Sequence, residues 1–268
     1  MRWTLALPLI LLLPVSGTAD GRRSSYRVIE PTAAWGRVEG TCRIGRAVDV
    51  PTIRMACGEH AGKRSSPRIV YDARSRGLAN CLVWIEDISA GKRWPLAMDV
   101  EDRTAFAATT SDGYVPHVQW VRTGTQLGWL NRSKAEDNVH LYRAGATQAN
   151  FMIPPGASRR DLGDLYLDKR GVYAALSDCW LGVSAYVLAF EHPYVARPTS
   201  RSGRYELTDV PPGTYTLVCW HEGMRHDEER VDGRIVRYRS GPPVEVRKKV
   251  TVPAKGTVTV DFVVPAPD

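Results

Sequence analysis

The apolar positions of this chain come in short runs, not in long stripes. LANCLVWIEDI (78–88) is a β-branched and aromatic stretch that ends in charges, and HVQWVRTG (117–124), TQLGWLN (125–131), NVHLYRA (138–144) and GTYTLVCWHE (213–222) are similar, each bounded by Gly, Asn or Pro. Such runs read as strands. No window keeps a helical apolar period for three turns with caps at its ends. With 23 glycines and 18 prolines as punctuation, the pattern predicts an all-β chain built from sandwiches.

A division is expected near residue 191. After it, SRSGRYELTDVPPGTYTLVCWHEG (200–223) gives a hairpin-like Ser-Gly turn, a strand, Val-Pro-Pro-Gly and a second strand, and the chain closes on the alternating KGTVTVDFVV. Proline fixes φ ahead of that second strand, and glycine is expected to take the positive φ of the reversal. Residues 20–34 are polar and patternless and read as a flexible lead-in. Residues 223–242 are dense in charge and read as a long loop with a short strand.

Composition adds bounds. The chain has 268 residues, 43% apolar and 24% charged, enough for one large or two small β domains with real cores. Arg2, the apolar run Leu5 to Val15 and Gly17-Thr18-Ala19 have the layout of a secretory signal, so residues 1–19 are expected to be removed and the rest exported to the periplasm or beyond. No later stretch approaches the roughly 20 apolar residues of a spanning helix. The net charge of +7 is mostly scattered arginine, a solvated surface and not a nucleic-acid footprint. Of the five cysteines, Cys81 and Cys219 sit in apolar strand patterns as inert buried thiols, while Cys42, Cys57 and Cys179 are the better bridge partners. Connectivity does not follow from sequence.

Three segments carry a family resemblance: LANCLVWIEDISAGK, then YVPHVQWVRTGTQLGWLNRSKAEDNVH, then CWLGVSAYVLAFEHPYVARPTSRSGRYELTDVPPGTYTLVCWHEG. In this order they resemble exported bacterial proteins that join a plastocyanin-like (cupredoxin) part to a carboxypeptidase regulatory-like, carbohydrate-binding-like β-sandwich, of the methylamine utilization or rhamnogalacturonan lyase domain type. The resemblance implies a cupredoxin-like Greek-key sandwich over 35–190 and a transthyretin-like, carboxypeptidase regulatory-like sandwich over 191–268. It also implies where copper would sit. Relatives place a histidine ligand where this chain has Asp137, ahead of Asn138-Val139-His140, and follow their cysteine with a histidine and a methionine. Cys179 is followed by Trp180-Leu181-Gly182-Val183-Ser184-Ala185, which contains neither. A blue-copper centre needs two imidazoles and a thiolate in a near-trigonal set. One thiolate and one carboxylate do not reproduce it, so the site is expected to be vestigial. If a metal is retained, copper is the ion and Asp137, His140, Cys179 and His117 are the candidate ligands.

Other constellations weigh less. HEGMRH (221–226) is one residue longer than the His-Glu-x-x-His zinc signature and lacks its helix; His221 and Glu222 are expected simply to close their strand. His117 and His140 read first as hydrogen-bonded strand residues, and His192 as a loop residue. No nucleophile elbow, phosphate loop or Cys-x-x-Cys occurs. Trp84 and Trp220 are expected in the core, whereas Trp94 and Trp180, flanked by loop-like residues, are candidates for a ligand-facing surface. The function expected is an exported, non-enzymatic binding or structural protein, its partner a protein or carbohydrate outside the cytoplasm. Copper electron transfer or copper handling is the first alternative, and a carbohydrate-binding accessory module the second.

Overall fold

A computed structural model describes residues 26–55, 62–159 and 165–267; the signal-like segment and Cys57 lie outside them. The described chain is all-β, with a single 3-10 turn at Leu96–Met98. Its four main sheets are stacked so that three apolar cores lie between them.

One sandwich occupies the middle of the sequence. One of its sheets orders the strands Ser158–Arg159, Thr125–Asn131, Thr104–Thr110 and Gly113–Val115, with Tyr166–Leu167 also on Thr125–Asn131. The other orders Ala146–Ile153, Asp137–Arg143, Gly171–Ser177, Ser184–Phe190 and Val118–Arg122. Each sheet holds one parallel pair, Thr104–Thr110 with Thr125–Asn131 and Val118–Arg122 with Ser184–Phe190, among antiparallel neighbours. This is the wiring expected of a cupredoxin-like Greek-key sandwich. Its core gathers Leu127, Trp129, Val139, Leu141, Trp180 and Val187.

The second sandwich does not begin at residue 191. Gly36–Ile44 pairs antiparallel with Arg204–Val210 and parallel with Thr257–Thr259 and Phe262–Val264. Facing it, Gly213–His221 lies between Val244–Val252 and Leu82–Ile85. The sheets therefore take strands from both ends of the chain, and the first sandwich is inserted between them, contrary to the expected division at 190/191. The physical reason is that Gly36–Ile44 buries Val38, Cys42 and Ile44 in one core shared by Val83 and Ile85 with the C-terminal residues Leu207, Leu217, Val252 and Phe262.

The strands LVWI and SAYVLAF are buried at every position because each lies between two cores. Val83 and Ile85 face the second sandwich's interior, while Leu82 and Trp84 face outward. Ala185, Val187 and Ala189 face the first sandwich's interior, while Tyr186, Leu188 and Phe190 turn to meet Leu82, Trp84, Val218 and Trp220. Successive strand residues alternate faces, so a continuous apolar run is what a doubly covered strand requires.

Three local expectations are corrected. Part of the lead-in is ordered: Arg27–Val28 pairs with Ala90–Gly91, and Tyr26 Oη donates to the Lys92 carbonyl at 2.7 Å. The charged 223–242 segment is a hairpin, His226–Val231 with Arg234–Ser240, turned at Asp232-Gly233 with φ of 51° and 75°; positive φ at both turn residues is what a two-residue hairpin loop demands. The Pro-Pro-Gly link crosses from one sheet to the facing one, and its positive φ falls on Asp209 at 55°, not on Gly213. Gly213 instead makes room for the Tyr215 ring: an added Cβ would lie 3.1 Å from Tyr215 Oη, which donates to the Pro211 carbonyl.

Candidate functional site

Asp137 opens its strand with the side chain turned into the first sandwich, as alternation with the core residues Val139 and Leu141 dictates. It is fully buried. Both carboxylate oxygens are engaged: Thr109 Oγ1 donates to Oδ2 at 2.7 Å and Ser177 Oγ donates to Oδ1 at 2.6 Å. The network continues outward. Trp129 Nε1 donates to Thr109 Oγ1 at 3.0 Å, and the Trp180 backbone N–H donates to Ser177 Oγ at 2.7 Å. Burial, then the neighbouring Asp137 charge, pushes the Tyr114 hydroxyl well above its ordinary pKa, so it is a neutral phenol beside the carboxylate.

The other proposed ligands do not join Asp137. His140 lies on the opposite face of the same strand, where Nδ1 meets Asp178 at 3.0 Å, Nε2 meets Thr147 Oγ1 at 2.8 Å and the ring stacks on Tyr142 at 4.0 Å. His117 is bound to Glu222, across the contact between the two sandwiches. Cys179 is half-buried, and its backbone N–H donates to Ser177 Oγ. Trp180, which follows it, is 1% exposed in the core, with Nε1 donating to the Glu136 carbonyl at 3.3 Å. These residues do not fit a blue-copper ion: among the described residues no imidazole shares the face of Asp137, and the carboxylate's oxygens already accept from hydroxyls. Among the described residues, the one group of three or more His, Cys, Asp or Glu ligand atoms that lie together is Cys42, Cys81 and Cys219, in the other sandwich.

Neither proposed sugar-stacking tryptophan is on the surface. Trp180 lies in the first core, and Trp94 is 7% exposed in the core between the sandwiches, 6.2 Å from the Trp120 ring with the Arg122 guanidinium over it. Their loop-like sequence neighbours concealed sheets arriving from elsewhere in the chain.

Strand-by-strand reading missed a buried charged cluster. Glu222, fully enclosed, receives a hydrogen bond from His117 and lies 3.3 Å from Arg68 Nη1, whose Nη2 donates to Ser184 Oγ at 3.3 Å. Arg68 is 3% exposed. Burial alone would raise the Glu222 pKa; the charge and hydrogen bond of His117, with the Arg68 guanidinium, more than reverse it to about 2. His221, one residue earlier, is fully buried with neither ring nitrogen hydrogen-bonded, and burial lowers its pKa to about 4. His192 is not an open loop residue either: it is 5% exposed, burial lowers its pKa to about 4, and it accepts from the Tyr194 N–H. The cluster joins the end of one sheet in the second sandwich (Glu222) to a sheet of the first (His117, Ser184). A cavity of about 80 Å³ lies beside it, lined by His117, Tyr114, Ser184 and Pro67.

No family model matches the chain, and no curated protein matches it. Among solved structures, a purple cupredoxin from Nitrosopumilus maritimus is 16% identical, covering 32% of this chain and 99% of that one, with a TM-score of 0.27. A reduced Cu(I) form of an amicyanin variant is 18% identical, covering 35% and 89%, with a TM-score of 0.28. A copper-containing nitrite reductase from Thermus scotoductus is 12% identical, covering 40% and 25%, also with a TM-score of 0.28. Among the described residues no helix is long and apolar enough to cross a membrane.

Proposed function

We propose that this chain is an exported, non-enzymatic binding or structural protein, in which the metal pocket of a cupredoxin-like sandwich has become a hydrogen-bonded core. One observation carries the reading. The carboxylate that stands where the resemblance implies an imidazole is held by two hydroxyls, Thr109 and Ser177, and has no histidine of the described residues on its face of the sheet. A carboxylate saturated in this way is a core-stabilising group, because both oxygens already have the donors that a buried anion needs. The resemblance of the second sandwich to carboxypeptidase regulatory-like modules supports a binding role, with a protein or carbohydrate partner outside the cytoplasm. Burial of Trp94 and Trp180 removes the aromatic platform on which the carbohydrate alternative leaned.

Metal analysis of the chain prepared from an exported fraction, beside its Cys179→Ser variant, tests the reading. The expected result is no copper that depends on Cys179 and no turnover of ester, glycoside or peptide substrates. Copper lost on Cys179→Ser, or a turnover abolished by one side-chain change, would overturn it.

A further inference from the structure

Three cysteines from three separate parts of the sequence meet inside the second sandwich. Cys42 lies on Gly36–Ile44 of one sheet, Cys219 on Gly213–His221 of the facing sheet, and Cys81 just before Leu82–Ile85, the neighbour of Gly213–His221. All three are wholly buried, each on the inward-facing register of its strand with Ile44, Leu217 and Val83. Cys42 Sγ and Cys219 Sγ are 3.5 Å apart, and all three sulfurs lie within 4.8 Å of one another.

That spacing matches a shared ion. With a metal–sulfur bond of about 2.3 Å, a planar trigonal set holds its sulfurs about 4 Å apart, inside the observed span. A disulfide, at about 2.05 Å, would need the nearest pair to close by roughly 1.5 Å and would leave the third thiol with no role. We propose that Cys42, Cys81 and Cys219 form a trigonal all-sulfur site for a soft monovalent metal ion of the Cu(I) class. Zinc is the poorer fit, since it favours four ligands and this apolar interior offers three. Soft thiolate donors select Cu(I). The exchange balances when all three sulfurs bind as thiolates: one Cu(I) enters, three thiol protons leave to solvent, the pocket goes from neutral to a net charge of −2 and no electron is transferred. Because the sulfurs are sealed in the core, the ion loads as the sandwich closes, and binding is coupled to folding. The site is separate from the Asp137 pocket and does not rely on it.

The test is anaerobic refolding of the full exported chain, reduced, with Cu(I) supplied from a Cu(I) chelator. Copper per chain, ultraviolet sulfur-to-Cu(I) absorption and thermal unfolding are the readouts. The expected result is one copper retained per chain against the chelator and a raised melting temperature. Both are lost in Cys42→Ser, Cys81→Ser and Cys219→Ser and kept in Cys57→Ser and Cys179→Ser. Circular dichroism checks folding of each variant. X-ray absorption on the unmutated protein reads the ligand shell independently and should show sulfur alone. No copper held against the chelator, a shell of nitrogen or oxygen, or copper indifferent to the triad would overturn the proposal. A disulfide within the triad of the exported protein would do the same. Copper that depends on Cys179 would instead sink the function proposed above, so the two failures are distinguishable.

Discussion

Replacing Glu222 by Gln removes one negative charge from a core that also holds Arg68 and His117, with little change in shape. Two routes give the size of the effect. Breaking a buried pair from one side costs about 3–5 kcal/mol, because the remaining charge is left uncompensated. The lowering of the Glu222 pKa from 4.5 to about 2 corresponds to about 3 kcal/mol in favour of the charged form. The two agree, so Glu222→Gln is expected to lose about 3 kcal/mol in urea denaturation at pH 7. The sign with pH follows from linkage. A carboxyl whose folded pKa is depressed contributes fully above its unfolded value of 4.5, and the contribution disappears as pH falls towards 2. The gap between unmutated protein and variant should therefore narrow over that window. The double variant Arg68→Met with Glu222→Gln should recover part of the loss, since the orphaned guanidinium is gone. A Glu222→Gln loss below about 0.5 kcal/mol, the range of ordinary surface substitutions, would refute the reasoning.

Further outcomes follow from other contacts. His221 and His192 stay neutral in the folded chain down to about pH 4 but take up protons near 6.5 when unfolded. Stability should thus fall as pH drops from 6.5 to 4, by up to about 3 kcal/mol per histidine, and His221→Phe should flatten that slope in melts across the range. Trp220→Ala empties the core between the sandwiches, where Trp220 packs edge-on to Tyr186 at 5.4 Å, and should cost about 3–5 kcal/mol in denaturant titration. Gly203 has φ of 69°, and an added Cβ would meet the Cys42 carbonyl oxygen at 2.2 Å. Gly203→Ala should therefore cost well over the 1–2 kcal/mol of a left-handed residue alone, read as a lowered urea midpoint.

Much of the fold was legible. Period-2 alternation marks Gly36–Ile44 and Arg204–Val210, each buried on one face, whereas an imidazole replaced by Asp137 is only what the family resemblance implies. The pairing of Gly36–Ile44 with C-terminal strands was not, because an apolar face does not name the distant strand that will cover it. The same limit hid Trp94 and Trp180, whose sequence neighbours are loop-like but whose spatial neighbours are core. Glu222 read as a strand end because its partners Arg68 and His117 come from distant segments. Cys81 and Cys219 read as inert small hydrophobes and Cys42 as a bridge partner of Cys57 or Cys179, but Cys42 and Cys179 are free thiols and sheet register brings Cys42 to Cys81 and Cys219 instead. The Asp232-Gly233 pair did announce a hairpin, but the charge around it resembled a loop.

Titration of the folded chain with Cu(II), followed by visible absorption beside Cys179→Ser, tests the central claim most directly. A closed pocket around Asp137 predicts no intense thiolate-to-copper band in either protein. One such band per chain, abolished by Cys179→Ser, would contradict it.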